Sequence, residues 1–176
     1  MEPQLSLPRP PQRTTPGFAF SIVERALRDC IAERGFGAQE LQVAAAFFGG
    51  ACAFCGGPIQ RWDHLVSVSA GGDTVLGNMV PACAKCDDSK QGSDFEAWAR
   101  GAAPSSPTSR GIPDIEERLS RLREYVSAYG YQAREPEDRL TADELRQYEV
   151  IRRDLQKARD DADEFLRMYR QRTGLK

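Results

Sequence analysis

The chain has 176 residues, a formal net charge of −2, 28% charged residues and 40% hydrophobic residues. This balance fits one globular domain, or a small domain with an appendage, and it excludes a protein that binds nucleic acid through a uniformly basic surface. The sequence has neither an apolar run of about 18 residues nor a signal-peptide pattern at its start, which predicts a cytoplasmic protein without a membrane span.

The N-terminal part is predicted to be a flexible arm followed by two helices. Residues 1–16 contain five prolines and little apolar material, which is typical of an extended segment without a fold. The first helix follows, and its apolar residues recur at intervals of three and four: Phe20, Val23, Leu27 and Cys30. A second helix is predicted over residues 38–48, where Gly49 and Gly50 end it.

The C-terminal part is predicted to be a linker followed by a helical hairpin. Residues 101–112 are dominated by Gly, Pro and Ser and have no periodicity, which indicates a linker. Residues 113–176 show two helical patterns, and Thr141 with Glu144 forms a capping box for the second helix, which runs to about Thr173. Its apolar spacing near 3.5 predicts a seam that packs on the first helix of the hairpin, on a second copy or on a partner subunit.

Four of the five cysteines form two CxxC pairs, which predict a structural zinc site. Two residues between cysteines let both thiolates reach one ion, and two such pairs complete a tetrahedral shell. The competing disulfide interpretation needs an oxidising compartment, for which the sequence has no export signal. The predicted ligands are Cys52, Cys55, Cys83 and Cys86, and the fifth cysteine, Cys30, is predicted to be a helix core residue.

The segment between the cysteine pairs is predicted to leave the metal and return as a β-hairpin. Residues 58–68 suit a strand, "SAGGDT" suits a turn, and residues 75–80 suit a second strand. Pro81 then fits the start of a helix that carries the second cysteine pair. The only histidine, His64, lies in the first strand directly after Asp63, and a zinc ion with four thiolates has no need of it.

These residues together resemble the HNH nucleases, whose active-site module is the ββα-metal fold. The resemblance covers residues 50–100 and extends to Lys90 and the segment "DFEAW". It implies a mostly helical α+β protein with a nuclease domain over residues 17–100, framed by the four-cysteine zinc site. The residues that carry it are both CxxC pairs, the Asp63–His64 dipeptide, the glycine pair of the turn, Asn78 and Asp87.

The resemblance also implies a role for each motif residue. His64 would be the general base that deprotonates a water, and Asp63 would hold a catalytic Mg²⁺ or Mn²⁺ ion. Asn78 would brace the hairpin and orient the histidine. Asp87 occupies the third motif position, which is usually histidine or asparagine, and would be the second ligand of the catalytic ion. Lys90 would contact a phosphate, with a solvated surface lysine as the alternative.

The function implied is a metal-dependent endonuclease that hydrolyses DNA, with RNA left open as a substrate. Residues 51–100 carry four basic and six acidic side chains, so phosphate contacts are expected from the basic chain ends. Those ends contain Arg9 and Arg13, and Arg167, Arg170, Arg172 and Lys176. Two alternatives remain open: a non-catalytic, zinc-stabilised module that binds nucleic acid or protein, and the nuclease subunit of a larger defence assembly.

One structural expectation follows from the dipeptide itself. Neighbouring residues in an ideal strand point to opposite faces, yet the proposed mechanism needs Asp63 and His64 in one site. The sequence therefore predicts a β-bulge or a strong twist at this point.

Overall fold

The computed structural model describes residues 15–174, and within this range it contains six α-helices and one two-stranded sheet. The predicted mostly helical α+β class is confirmed. The predicted arm, apart from its last two residues, lies outside the described residues, as do Arg9, Arg13 and Lys176. The elements are α1 Pro16–Ile31, α2 Ala38–Phe47, β1 Arg61–His64, β2 Met79–Ala82, α3 Ala84–Lys90, α4 Phe95–Arg100, α5 Ile115–Ala128 and α6 Ala142–Thr173.

The chain divides into two compact units. Among the described residues, the first unit combines residues 15–24 with residues 146–174, and the second is Arg25–Leu145. The second unit holds both strands and the cysteines of the predicted zinc site. None of the described helices is both long and apolar enough to cross a membrane.

The β-hairpin is present, with shorter strands than the sequence predicts. Strands β1 and β2 are antiparallel, and Trp62 lies opposite Pro81. Pro81 is therefore inside β2 and does not begin a helix, which corrects the prediction. Leu65 N donates to Asn78 O at 2.8 Å, so Leu65 and Asn78 form a hydrogen-bonded pair. Such pairs alternate with non-hydrogen-bonded ones in an antiparallel ladder, and by this alternation Trp62 and Pro81 form a non-hydrogen-bonded pair. Proline is tolerated there because the pair needs no N–H group.

Helix α5 packs into the core of the second unit. Its side chains Leu119, Leu122 and Tyr125 are almost fully buried. The Tyr125 hydroxyl donates to the carbonyl of Met79 at 2.9 Å, and its ring lies 5.0 Å from the ring of Phe48. The apolar face of α5, which was expected to pack on α6 in a helical hairpin, is thus already covered within its own unit. Through Tyr125 it contacts β2 and the aromatic residues at the end of α2.

The segment 101–112, predicted as a linker, is packed against the core. Ser106 has no exposed surface, and its hydroxyl donates to Gly101 O at 2.6 Å. The Thr108 hydroxyl donates to Ala99 O at 2.7 Å. Serine and threonine hydroxyls in this segment donate to backbone carbonyls and hold it against the core. A composition rich in Gly, Pro and Ser therefore does not make this segment a flexible linker.

Two observations concern the helices at the chain ends. No residue of α1 is buried, and Cys30 is exposed, so the prediction that Cys30 is a core residue is wrong.

The predicted capping box of α6 is present, because Thr141 N donates to Glu144 Oε2 at 2.8 Å and Glu144 N donates to Thr141 Oγ1 at 3.4 Å. Helix α6 ends at Thr173 as expected and is about 48 Å long at about 1.5 Å per residue.

A buried ion pair ties the hairpin turn to the segment that precedes α6. The carboxylate of Asp73 is 2% exposed and accepts hydrogen bonds from Arg139 Nη1 at 2.6 Å and Nη2 at 3.0 Å, and from Glu33 N at 2.6 Å. Burial by itself raises the pKa of Asp73, but the hydrogen bonds and the charge of Arg139 outweigh it, and the pKa is lowered. The ionised carboxylate therefore stabilises the fold.

We expect Asp73→Asn to lower the free energy of unfolding by about 3 kcal/mol at pH 7, because it leaves the Arg139 guanidinium buried without its charge partner. The pKa is lower in the folded than in the unfolded chain, so this stabilisation is complete above about pH 4 and disappears as the pH falls through the folded pKa. Thermal unfolding of the wild type and of Asp73→Asn between pH 7 and pH 3 measures the difference in stability. Glu137→Gln, an exposed neighbour, is the control. An equal difference between the two proteins across that whole range would contradict the assignment.

Candidate active site and zinc centre

The four predicted zinc ligands lie together. Cys52 and Cys55 are in the turn before β1, and Cys83 and Cys86 are at the start of α3. Their sulfur atoms all lie within 4.8 Å of one another, and the Sγ atoms of Cys55 and Cys83 are 3.6 Å apart. A tetrahedron with zinc–sulfur bonds of about 2.3 Å has edges of about 3.8 Å, so the cluster fits zinc.

The backbone and the charges of the cluster also suit a cation. Gly56 adopts a positive φ of 72° and donates to Cys52 O at 2.8 Å, which closes the turn of the first pair. A proton shared with Cys52, together with burial and the charges of the neighbouring thiolates, raises the pKa of Cys86. These buried thiols cannot all ionise side by side unless a cation compensates their charge.

Arg110 contacts the four-cysteine cluster, and sequence reasoning missed it. Its Nη2 donates to the sulfur of Cys86 at 3.0 Å, and its Nε is buried without a hydrogen-bond partner. A guanidinium here offsets part of the negative charge of a four-thiolate site. Arg110 lies in the segment predicted as a linker, and the sequence around it has no pattern that signals this contact.

The Asp63–His64 dipeptide lies at the end of β1 in a regular ladder. Asp63 pairs with Val80 and His64 with Met79 without an inserted residue, so the predicted bulge is absent. Both side chains nevertheless line one open groove of about 550 Å³ together with Asp87. The register does not separate them, because the strand ends at His64 and the groove runs across this end.

His64 is partly buried, and one ring nitrogen has a partner. Its Nε2 lies 2.9 Å from the hydroxyl of Thr74. Burial, followed by the positive charge of Lys90, lowers the pKa of His64, which favours the neutral imidazole that can accept a proton. Thr74 was not predicted, since a threonine in a hairpin turn belongs to no sequence motif.

Asp63 and Lys90 meet beneath the hairpin. Asp63 is 7% exposed and Lys90 has no exposed surface. The ammonium of Lys90 donates to the His64 carbonyl at 2.6 Å and lies 3.3 Å from Asp63 Oδ2. Lys90 therefore cannot contact a phosphate at the surface, which corrects both interpretations of this residue. The last turn of α3 faces the hairpin, so its lysine packs inward.

The Asp63 carboxylate is poorly satisfied. Its Oδ2 accepts no hydrogen bond of good geometry, although the ammonium of Lys90 is at ion-pair distance. Burial raises the pKa of Asp63 to about 6, against the opposing effect of the Lys90 charge. A buried carboxylate oxygen without a donor is a suitable ligand for a hard divalent cation.

Asp87 faces the same groove but has its own basic partner. Its Oδ2 accepts from Arg61 Nη1 at 2.8 Å, and Arg61 also contacts Asp88. The other oxygen of Asp87, Oδ1, has no partner among residues 15–174. Apart from the four cysteines, the described residues contain no group of three histidine, cysteine or acidic ligand atoms within 4.8 Å of one another. Asp63, His64 and Asp87 thus share a groove without forming a compact cluster.

Asn78 closes the loop that follows β1. It is fully buried, its Oδ1 accepts from Val66 N at 2.8 Å, and its Nδ2 donates to Val66 O at 3.0 Å and to Asp73 O at 2.7 Å. These hydrogen bonds hold the backbone immediately after His64. The position agrees with a bracing role and makes direct contact with a substrate sterically impossible without rearrangement.

The hairpin, the helix and the four-cysteine cluster define a class of protein. The HNH endonuclease family matches residues 52–92, so this segment is an HNH endonuclease domain. The match covers both CxxC pairs and extends past Lys90.

A curated relative supports the same assignment. An 84-residue stretch is 32% identical to the CRISPR-associated endonuclease Cas9 of Corynebacterium diphtheriae. The match covers 45% of this chain but only 7% of that protein. No solved structure gives a significant match. Neither match points to a homodimer.

Proposed function

We propose that the protein is a metal-dependent endonuclease that hydrolyses phosphodiester bonds of DNA. The observation that carries this proposal is the single groove shared by His64, Asp63 and Asp87 within a segment that matches the HNH endonuclease family. A partly buried neutral histidine beside carboxylates can supply the general base and the metal ligands of metal-assisted hydrolysis.

In this proposal His64 is the general base. The Thr74 hydroxyl lies at Nε2 and fixes the ring, while Nδ1 has no hydrogen-bond partner among the described residues. Nδ1 is therefore available to take a proton from a water molecule in the groove. Since the pKa of His64 is lowered, the imidazole is neutral at neutral pH and ready for this step.

Asp63 and Asp87 are the proposed ligands of a catalytic Mg²⁺ or Mn²⁺ ion. They fit such an ion because Asp63 Oδ2 lacks a hydrogen bond and Arg61 occupies only the Oδ2 atom of Asp87. When bound, the ion would stabilise the negative charge that develops on the phosphate. Asp87 could hold the ion through Oδ1 while Oδ2 keeps its hydrogen bond to Arg61.

Lys90 and Asn78 are the proposed positioning residues. Lys90 holds the backbone carbonyl of His64 from below, and Asn78 holds the loop that begins at Val66. Both side chains are fully buried, so they act on the orientation of His64 and not on the substrate.

A non-catalytic binding module is the second candidate, and one observation favours it. Asp63 lies at ion-pair distance from Lys90 and Asp87 is paired with Arg61, so basic side chains already compensate both carboxylates without a metal ion. As a third possibility, the exposed apolar residues Phe165, Met168 and Tyr169 of α6 leave a surface for a partner subunit of a larger assembly.

Supercoiled plasmid DNA distinguishes the first two candidates. We expect the zinc-loaded protein to convert it to nicked or linear DNA with Mg²⁺ or Mn²⁺, and to leave it intact when no divalent ion is added. A parallel incubation with single-stranded RNA tests the alternative substrate. Binding of the plasmid without conversion under any of these ions would favour the binding module and contradict the endonuclease.

A further inference from the structure

The groove that contains His64 is acidic. Its walls include the carboxylates of Asp63, Asp87 and Asp88, and its volume is about 550 Å³. A phosphodiester carries a negative charge, so such a groove needs a positive group to admit it. Lys90 does not supply this group, because it is buried beneath β1. Arg61 pairs with Asp87 and Asp88 but is not among the described residues that line the groove.

Arg25 of α1 is the one arginine or lysine among the described side chains that line this groove. It is exposed and makes no ion pair or hydrogen bond with a described residue. Its natural partner on the helix would be Asp29, four residues further on, but Asp29 is paired with Arg34. The guanidinium of Arg25 therefore lines the groove without an ion-pair partner among residues 15–174.

Arg25 also acts electrostatically on the proposed base. Burial and then the charge of Lys90 lower the pKa of His64. The charge of Asp29 opposes them, and the charge of Arg25 adds a smaller lowering. An arginine can bind a phosphate through two parallel hydrogen bonds, which fixes orientation as well as charge. An exposed arginine that lines the same groove as His64 is suited to this task.

We propose that Arg25 binds a phosphate group of the nucleic acid next to the bond that is cut. The inference rests on the proposed function, and it assigns to α1, outside the segment that matches the HNH family, a direct contact with the substrate. It also shows how an acidic nuclease core can hold a polyanion without the basic chain ends.

The test measures binding and cleavage separately. Binding of a fluorescent DNA duplex is measured in the His64→Ala background, so that the DNA stays intact, at several salt concentrations. We expect Arg25→Ala to weaken binding about tenfold and to reduce the slope of log K against log salt by about 0.9, the value for one phosphate contact on a duplex. In the active protein the same change should raise KM and leave kcat nearly unchanged.

Two further variants control for charge and geometry. Arg25→Lys keeps the charge, so it should keep the salt slope while losing part of the affinity. Arg153→Ala, which removes an exposed arginine of α6 outside the second unit, should change neither quantity. Thermal unfolding should be the same for all of these variants, because both arginines are exposed.

The outcomes separate the two proposals. If Arg25→Ala binds DNA with the affinity and salt slope of Arg153→Ala, the role of Arg25 is refuted. If the parent protein binds DNA but never cuts it, the endonuclease proposal fails, and the binding data still decide the role of Arg25. If the parent protein neither binds nor cuts DNA, both proposals fail.

Discussion

Replacing His64 with alanine is expected to reduce the rate of plasmid cleavage about 10³-fold, the usual contribution of a positioned general base. The chain has no second histidine that could take over the proton. The ring is only partly buried and lies at the end of β1, so its removal should leave the zinc centre and the fold unchanged. A cleavage time course with excess divalent ion measures the loss.

Two accompanying measurements tell a base from a structural residue. Added imidazole should restore part of the activity of His64→Ala, because the small molecule can occupy the vacated space and accept the proton. Thr74→Val, which removes only the hydroxyl at Nε2, should give a smaller loss than His64→Ala. A His64→Ala protein that retains its zinc and cuts at the rate of the wild type would show that His64 is not the base.

Loss of one zinc ligand is expected to unfold the second unit. Cys86 is fully buried, belongs to the four-sulfur cluster and accepts a hydrogen bond from Arg110, so Cys86→Ser removes a ligand that no other residue replaces. Structural zinc contributes about 10–16 kcal/mol, which is as large as the whole stability of a typical domain, about 5–15 kcal/mol. The unit should therefore not remain folded without the ion.

The two tryptophans make this effect visible. Trp62 and Trp98 both lie in the second unit. Trp98 packs edge-on against Phe54, which lies between Cys52 and Cys55 in the sequence. We expect Cys86→Ser to lose its bound zinc and to shift tryptophan emission to longer wavelength. Removing zinc from the wild type with a chelator should give the same shift, and adding zinc back should reverse it.

Cys30→Ser is the matched control for this experiment. Cys30 is exposed on α1 and is not part of the cluster, so its replacement should change neither the zinc content nor the emission. The zinc assignment would be wrong if Cys86→Ser retained one zinc per chain and the thermal stability of the wild type.

The charges of the site follow a division between buried and exposed basic residues. Lys90 is buried and compensates Asp63 from below, whereas the exposed Arg25 lines the groove. The buried ammonium donates to the backbone carbonyl of His64, and in our proposal the exposed guanidinium of Arg25 binds a phosphate. In the proposed mechanism, the buried residue would hold His64 in place and the exposed one would contact the substrate.

The sequence by itself determined the four-cysteine cluster and the HNH character of the segment that carries it. The two residues between each pair of cysteines set the local geometry of their thiolates, so the spacing alone predicts that they can share one ion. Asp63 and His64 could be singled out for the same reason, because their place between the pairs is a short-range feature. The capping box at Thr141 and Glu144 is equally local.

Only the tertiary structure decided how the site is completed. Lys90 turned out to be buried, Thr74 to contact His64, Arg110 to contact a zinc ligand and Arg25 to line the groove. Each of these contacts joins segments that are at least ten residues apart in the chain. Composition and periodicity describe what a segment prefers by itself, whereas burial and contacts depend on which other segments pack against it.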